Sequence, residues 1–278
     1  MTLFGRSFTT PRLLAVGLVV FGAACHRHRP EPPAPAPEST RTTPHTTAIT
    51  SGPTLVSAMH EKYPRWYHSV TFTQRTTLVA PSGGEIKQTW YEAGELPGKL
   101  RIDSDLASKS GTLFARDSIY SFSEGKLVSA EPGLNELLIL GFDAYRQSSA
   151  RTDAQLRQLG FDLARFHEGT WQGRPVYVVG ALRGDTTSKQ FWIDRDNLLF
   201  VRLLEHGRQG KVDIRFNKYQ PAGAGWIAME VVQYVNGARR LLEEYSDVRT
   251  NVSLADAVFD PAEWATVRHW SKRAPWKD

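Results

Sequence analysis

The feature that most constrains this chain is a period-two alternation of apolar and polar residues, resumed many times from Val70 onward and punctuated by turn-forming residues. In an extended strand successive side chains point to opposite faces, so this pattern buries one face and wets the other. A helical bundle is excluded as the main architecture by that period. Val70 and Phe72 alternate with Thr71 and Thr73, and Pro81-Ser82-Gly83-Gly84 then makes a turn. Ile86 and Trp90 share a face two pleats apart, and Leu100 and Ile102 repeat the pattern after Pro97-Gly98. Further strands are predicted at residues 112–116, 118–123, 126–130, 176–181, 189–193, 198–204, 212–216, 226–235 and 238–245. Asp194-Arg195-Asp196-Asn197, Gly207-Arg208-Gln209-Gly210 and Asn236-Gly237 supply turns, and Asn-Gly is the strongest hairpin signal among them.

Helical spacing appears in a few places only. Over residues 54–63, Leu55, Met59 and Tyr63 recur on one side and Pro64 stops the run. Midway along the chain Leu134, Leu137, Leu138 and Phe142 fit one helical face, and a second piece covers residues 153–159. About a dozen strands in meander order with helices inserted predict a mainly β fold, an incomplete (open) antiparallel β-barrel with a helical lid.

The first fifty residues have a different character. Arg6 and Arg12 precede an uncharged apolar run, residues 13–24, which is too short to span a ~30 Å hydrocarbon core comfortably. Small residues Gly22-Ala23-Ala24 lead to Cys25, the only cysteine of the chain, so no internal disulfide can form. That position resembles the lipobox of bacterial lipoproteins, with Gly22 where an aliphatic residue is usual. Residues 1–24 are therefore expected to be a lipoprotein signal peptide and Cys25 the lipidated residue. Residues 25–53 are rich in Pro, Ser and Thr and read as a disordered tether, because they lack the apolar side chains that offset ordering entropy. His26 and His28 read as part of that tether rather than a metal site. Residues 54–278 form the expected single domain.

The formal charge of +5 is spread among acids, with Arg239-Arg240 and Lys272-Arg273 the tight basic pairs, so no nucleic-acid surface is expected. No nucleophile elbow, P-loop, metalloprotease helix or dinucleotide fingerprint occurs. Asp103 and Asp105 read as an exposed strand edge, Glu243-Glu244 as the polar side of a strand, and His60, His68, His167, His206 and His269 lack ligand spacing. Neither an enzyme, a metal nor a cofactor is expected.

The run Tyr67-His68-Ser69-Val70-Thr71-Phe72-Thr73-Gln74-Arg75 after a short helix resembles the first strand of the LolA family of periplasmic lipoprotein carriers. So do Trp90, Pro97-Gly98-Lys99-Leu100-Arg101, Asp117-Ser118-Ile119-Tyr120-Ser121-Phe122, Gln190-Phe191-Trp192-Ile193-Asp194 and Phe259-Asp260-Pro261. The resemblance covers most of the chain after the tether and implies an open barrel round an apolar cavity that takes lipoprotein acyl chains. The lipid anchor is shared with LolB, while the arginine that latches the LolA lid has no counterpart at Gly94-Glu95-Leu96-Pro97. It implies a monomer on the periplasmic face of the outer membrane, carrying or inserting lipoproteins or other lipids with an envelope transport partner.

Cavity lining is assigned to Val70, Phe72, Ile86, Trp90, Leu100, Ile102, Phe122, Phe191 and Ile193, and the lid to Leu55, Met59, Leu134, Leu137, Leu138 and Phe142. Each of these also fits plain core packing. A structural or regulatory envelope module with a filled core is the alternative, and an envelope hydrolase the third reading.

Overall fold

The computed structural model describes residues 48–207 and 210–271. The expected signal peptide, Cys25, His26, His28, the tether as far as residue 47 and Lys272-Arg273 lie outside the described residues.

The chain opens with helix α1 (Gly52–Lys62) and then runs through β1 (Ser69–Val79), β2 (Glu85–Glu95), β3 (Lys99–Asp105), β4 (Ser110–Ala115), β5 (Ser118–Ser123) and β6 (Lys126–Pro132). Helix α2 (Glu136–Gly141), a 3-10 turn at Asp143–Tyr145 and helix α3 (Ser149–Gln158) follow. The second strand series is β7 (Phe166–Trp171), β8 (Arg174–Val179), β9 (Gln190–Asp194), β10 (Phe200–Gly207), β11 (Gly210–Ala222), β12 (Gly225–Val235) and β13 (Ala238–Thr250). Among the described residues these strands form one thirteen-stranded sheet in the order β6-β5-β4-β3-β2-β1-β13-β12-β11-β10-β9-β8-β7. Every neighbouring pair is antiparallel, and β6 and β7 remain as edges, so the sheet does not close. This is the open, mainly β architecture that the alternation predicts.

The topology explains where the helices sit. The first series marches from β1 out to the edge strand β6, and the second starts at the opposite edge and marches back until β13 pairs with β1. Residues between β6 and β7 must therefore carry the chain from one edge to the other. Their apolar side has to be buried, so α2 and α3 pack into the main core on the sheet, where α3 and the 3-10 turn meet α1.

Directly opposed residues of an antiparallel pair share a face, which lets the register assign both sides of the sheet. The inner, helix-bearing face carries Val70 and Phe72, then Tyr177, Val179, Phe191, Ile193, Phe200, Leu203, Ile214 and Val231. Leu55, Val56 and Met59 of α1, Leu138 to Leu140 of α2 and Leu156 of α3 pack against them in the main core. The outer face of β2–β5 carries a smaller core of Ala93, Leu113, Ala115 and Phe122, covered by Val258, Phe259 and Trp264. Phe122 stacks on Trp264 at 4.1 Å between ring centroids. Gly111 makes room for that ring, because a Cβ there would collide with the Ile102 carbonyl and press on Trp264.

Candidate functional site

Two parts of the inner face differ in how completely they are covered. Under the helices, Leu55, Met59, Phe191 and Ile193 have no accessible surface, and Leu138 is buried with them. Cavity and lid candidates there are in contact within one core. The expectation of a space between lid and lining is thus corrected for this half, where large side chains from both sides fill it. Val70 and Phe72 belong to the same core.

Over β2–β5 the inner face is less covered. Glu92 is opposed by Ile102, and Ile102 by Thr112; Gly94 is opposed by Leu100, and Leu100 by Phe114, itself opposed by Ile119. Trp90, Leu100, Ile102, Phe114 and Ile119 are all half-buried. Leu134, Leu137 and Phe142 are half-buried too, and pack against the edge of the main core. These side chains form an apolar strip that the helices border and do not seal.

Two lining assignments are overturned. Ile86 is 50% exposed. It lies opposite Leu78 near the β1–β2 turn, on the inner face but beyond the helices. Phe122 is buried on the outer face, since it opposes Gly111, which opposes Asp103. Alternation identifies Phe122 as one-sided, and only the register says which side. Asp103 is also corrected, for it is fully buried while Asp105 is exposed. Arg101 holds both Asp103 oxygens at 2.9 and 3.1 Å and donates to the Trp264 carbonyl at 3.0 Å. Its guanidinium lies 3.9 Å from the Trp264 ring centre. The C-terminal segment that brings these partners is far away in sequence, which is why a strand-edge reading failed.

At the border between the sealed and open parts lies a polar group, and it corrects the reading of Glu243 as the polar side of a strand, for Glu243 opposes Val231 on the inner face. Gln74 on β1 is opposed by Trp90 on β2 and by Tyr245 on β13, and Thr76 by Glu243. Glu92 opposes Phe72 on the same face. Gln74 thus stands on the middle strand, diagonal to Glu92 on one side and Glu243 on the other. Tyr245 donates to Glu243 Oε2 at 2.8 Å, and its ring lies 4.5 Å from that of Phe72. Gln74 donates from Nε2 to Thr76 Oγ1 at 2.8 Å, while its own Oε1 is buried without a partner. Burial and the neighbouring Glu243 carboxylate hold the Glu92 carboxyl well above the usual range. Burial pushes Glu243 up to about 7 against the hydrogen bonds from Tyr245 and Gln74. The signal was legible in part: Gln74 and Thr76 share parity with Phe72, and Glu92 with Trp90. Polar residues on an otherwise apolar face mark a site or a tolerated border, and only the register unites them.

A cleft of about 650 Å³ opens elsewhere, lined among others by Trp171, Arg174, Asp194, Lys218 and Glu230. Its charges satisfy one another, with Arg174 2.9 Å from Asp194 and Lys218 paired to Glu230. Among the described residues no group of three or more His, Cys, Asp or Glu is placed to hold a metal ion, and no helix is long and apolar enough to cross a membrane.

No family model matches the sequence, and no curated protein matches it. Solved structures do share the fold. A putative outer membrane lipoprotein-sorting protein domain from Vibrio parahaemolyticus superposes with a TM-score of 0.53 at 11% identity, covering 77% of this chain and 98% of that one. A DUF1329 family protein from Desulfovibrio piger gives 0.50 at 13% identity, covering 75% and 95%. At such identities the likeness is one of fold.

Proposed function

We propose that this chain is a lipid-anchored protein of the bacterial envelope that holds an acyl chain along the half-open strip of its inner face. The observation that carries the reading is the row of half-buried Trp90, Leu100, Ile102, Phe114 and Ile119, bordered by Leu134, Leu137 and Phe142. An acyl chain laid there removes its methylenes and these side chains from water, at about 0.8 kcal/mol per buried CH₂. The fold shared with a lipoprotein-sorting domain supports the same class of ligand.

Titration of the full chain with an uncharged probe, a pyrene-labelled fatty alcohol, tests it. Saturable binding is expected, weakened about tenfold or more by Ile102→Asp, since a carboxylate in an apolar contact forfeits its hydration. Leu127→Asp, at the exposed edge strand β6, should leave binding unchanged. The tight packing round Phe191 and Ile193 favours a second reading, an envelope module with a filled core. Absence of saturable binding would leave that reading standing. The anchor is tested separately: Cys25→Ser should move the protein from the membrane fraction to the soluble envelope fraction, and retention in the membrane would count against lipidation.

A further inference from the structure

The acidic group beside the strip raises the question of what completes it. Glu92 and Glu243 supply carboxylate oxygens, and Gln74 supplies an amide oxygen that accepts nothing although the residue is fully buried. Neither carboxyl has an ion-pair partner among the described residues, and no cation contributes to the field at either. With both carboxyls ionised the site is rich in acceptors and poor in donors. Its internal donors to a carboxylate, the Tyr245 hydroxyl and the Gln74 amide N–H, are both already used on Glu243. Buried acceptors left in that state cost free energy, and a like-charged pair costs more.

The surroundings narrow the missing partner to one chemistry. An ammonium group has three N–H donors and no acceptor, which matches the acceptors contributed by Glu92, Glu243 and Gln74. Phe72 and Tyr245 present aromatic rings beside them, and aromatic faces favour cations. Glu92 is opposed across one strand spacing, ~4.8 Å, by Ile102 of the open strip. A charged head at Glu92 thus continues directly into an apolar track. Resting on the acyl-binding reading above, we infer that the ligand of this face is a cationic amphiphile, its protonated amine seated between Glu92, Glu243 and Gln74 and its hydrocarbon tail on the strip.

Three probes with the same twelve-carbon chain separate this inference from the reading it rests on. Dodecylamine, dodecanol and dodecanoate are each used to displace the pyrene-labelled alcohol from the full chain at pH 7.5. Dodecylamine should displace it at about one tenth or less of the dodecanol concentration, and dodecanoate should need more than dodecanol. Glu92→Gln and Glu243→Gln keep shape while removing charge, and each should bring the displacing concentration of dodecylamine close to that of dodecanol. Glu244→Gln, on the opposite face where Glu244 pairs with Arg75 at 2.7 Å, should keep the full preference. Equal displacement by all three probes overturns the ammonium site and leaves the acyl strip. No displacement or probe binding at all overturns both. A preference that survives in both glutamine variants overturns the assignment to this pair. Should a variant not fold, the ratio of the three probes on the unaltered chain still decides whether an ammonium site exists beside the strip.

Discussion

The two ends of the sheet bury opposite faces. Strands β7–β11 press their inner face against the helices, where Phe191, Ile193, Phe200 and Leu203 have no accessible surface. Strands β2–β5 are sealed on their outer face by the C-terminal segment, while their inner face keeps a half-buried apolar strip. The two covers differ in kind. The helices contribute rows of aliphatic side chains, whereas the C-terminal segment contributes Trp264 and backbone carbonyls to a buried ion pair. One sequence thus spends its helical apolar surface at one end and leaves the other end's inner face available.

The sharpest way to break the second cover is at Asp103. Removing it strands the Arg101 guanidinium, which is 2% exposed and has no water to return to. Asp103→Ala should destabilise the protein by about 3–5 kcal/mol, as unpaired buried charges do. Urea titration gives the loss, and limited proteolysis should now cut within residues 254–271. A loss below about 1 kcal/mol would mean that the segment holds on by its rings alone.

Next in size is a matched pair of truncations. Ile193→Ala in the sealed half should cost about 2–5 kcal/mol, because packed neighbours cannot collapse into the void. Ile102→Ala on the strip leaves no enclosed void and should cost under about 1 kcal/mol. Equal losses would show that the strip is core, and the comparison drawn between the two halves would fail.

The same contrast governs what could be read before the fold was known. Strand positions were legible because period two is local: β5 was expected at residues 118–123 and spans Ser118–Ser123. The edge strand β7 escaped, since Phe166-His167-Glu168-Gly169-Thr170-Trp171 alternates poorly and one residue is glycine. Faces were not legible. Phe122 and Phe72 look alike in sequence and lie on opposite sides, because parity passes from strand to strand only through register. Glu92 and Glu243 come together because β1 pairs with both β2 and β13, a contact that joins the start of the domain to its last strand.

Acidity offers a prediction of intermediate size. Glu243 and Asp143 are both pushed up to about 7 by burial, and Glu92 lies well above its ordinary value. Between the unfolded carboxyl value of roughly 4 and about 7, the folded chain keeps protons that the unfolded chain releases. Stability from these groups is therefore full below pH 4 and declines as pH rises through 7. For Asp143, which is 1% exposed, the decline is on the order of 2–4 kcal/mol. Urea midpoints measured from pH 5 to 8 should fall with pH, and Glu243→Gln should flatten part of the slope. A midpoint rising across that range would mean that these carboxyls are ionised in the native protein.

The smallest expected effect isolates the helical cover without touching the core. Residues 54–63 were expected to be helical, but α1 starts at Gly52 because Ser51 caps it. Ser51 Oγ accepts from the Thr54 backbone N–H at 3.3 Å, and Thr54 Oγ1 accepts from the Ser51 backbone N–H at 3.0 Å. Two otherwise orphaned donors at the helix start are satisfied reciprocally, and Pro53 sits where its missing N–H does no harm. Ser51→Ala removes one half of this arrangement and should cost about 1 kcal/mol. In a domain of this size that corresponds to a fall of roughly 2–4 °C in Tm. Because α1 covers the sealed half, binding of the pyrene-labelled alcohol to the strip should be unchanged at temperatures well below the transition. If affinity falls along with Tm, α1 reaches the ligand or controls access to it. The two halves of the inner face would then act as one pocket, closed by the same helix.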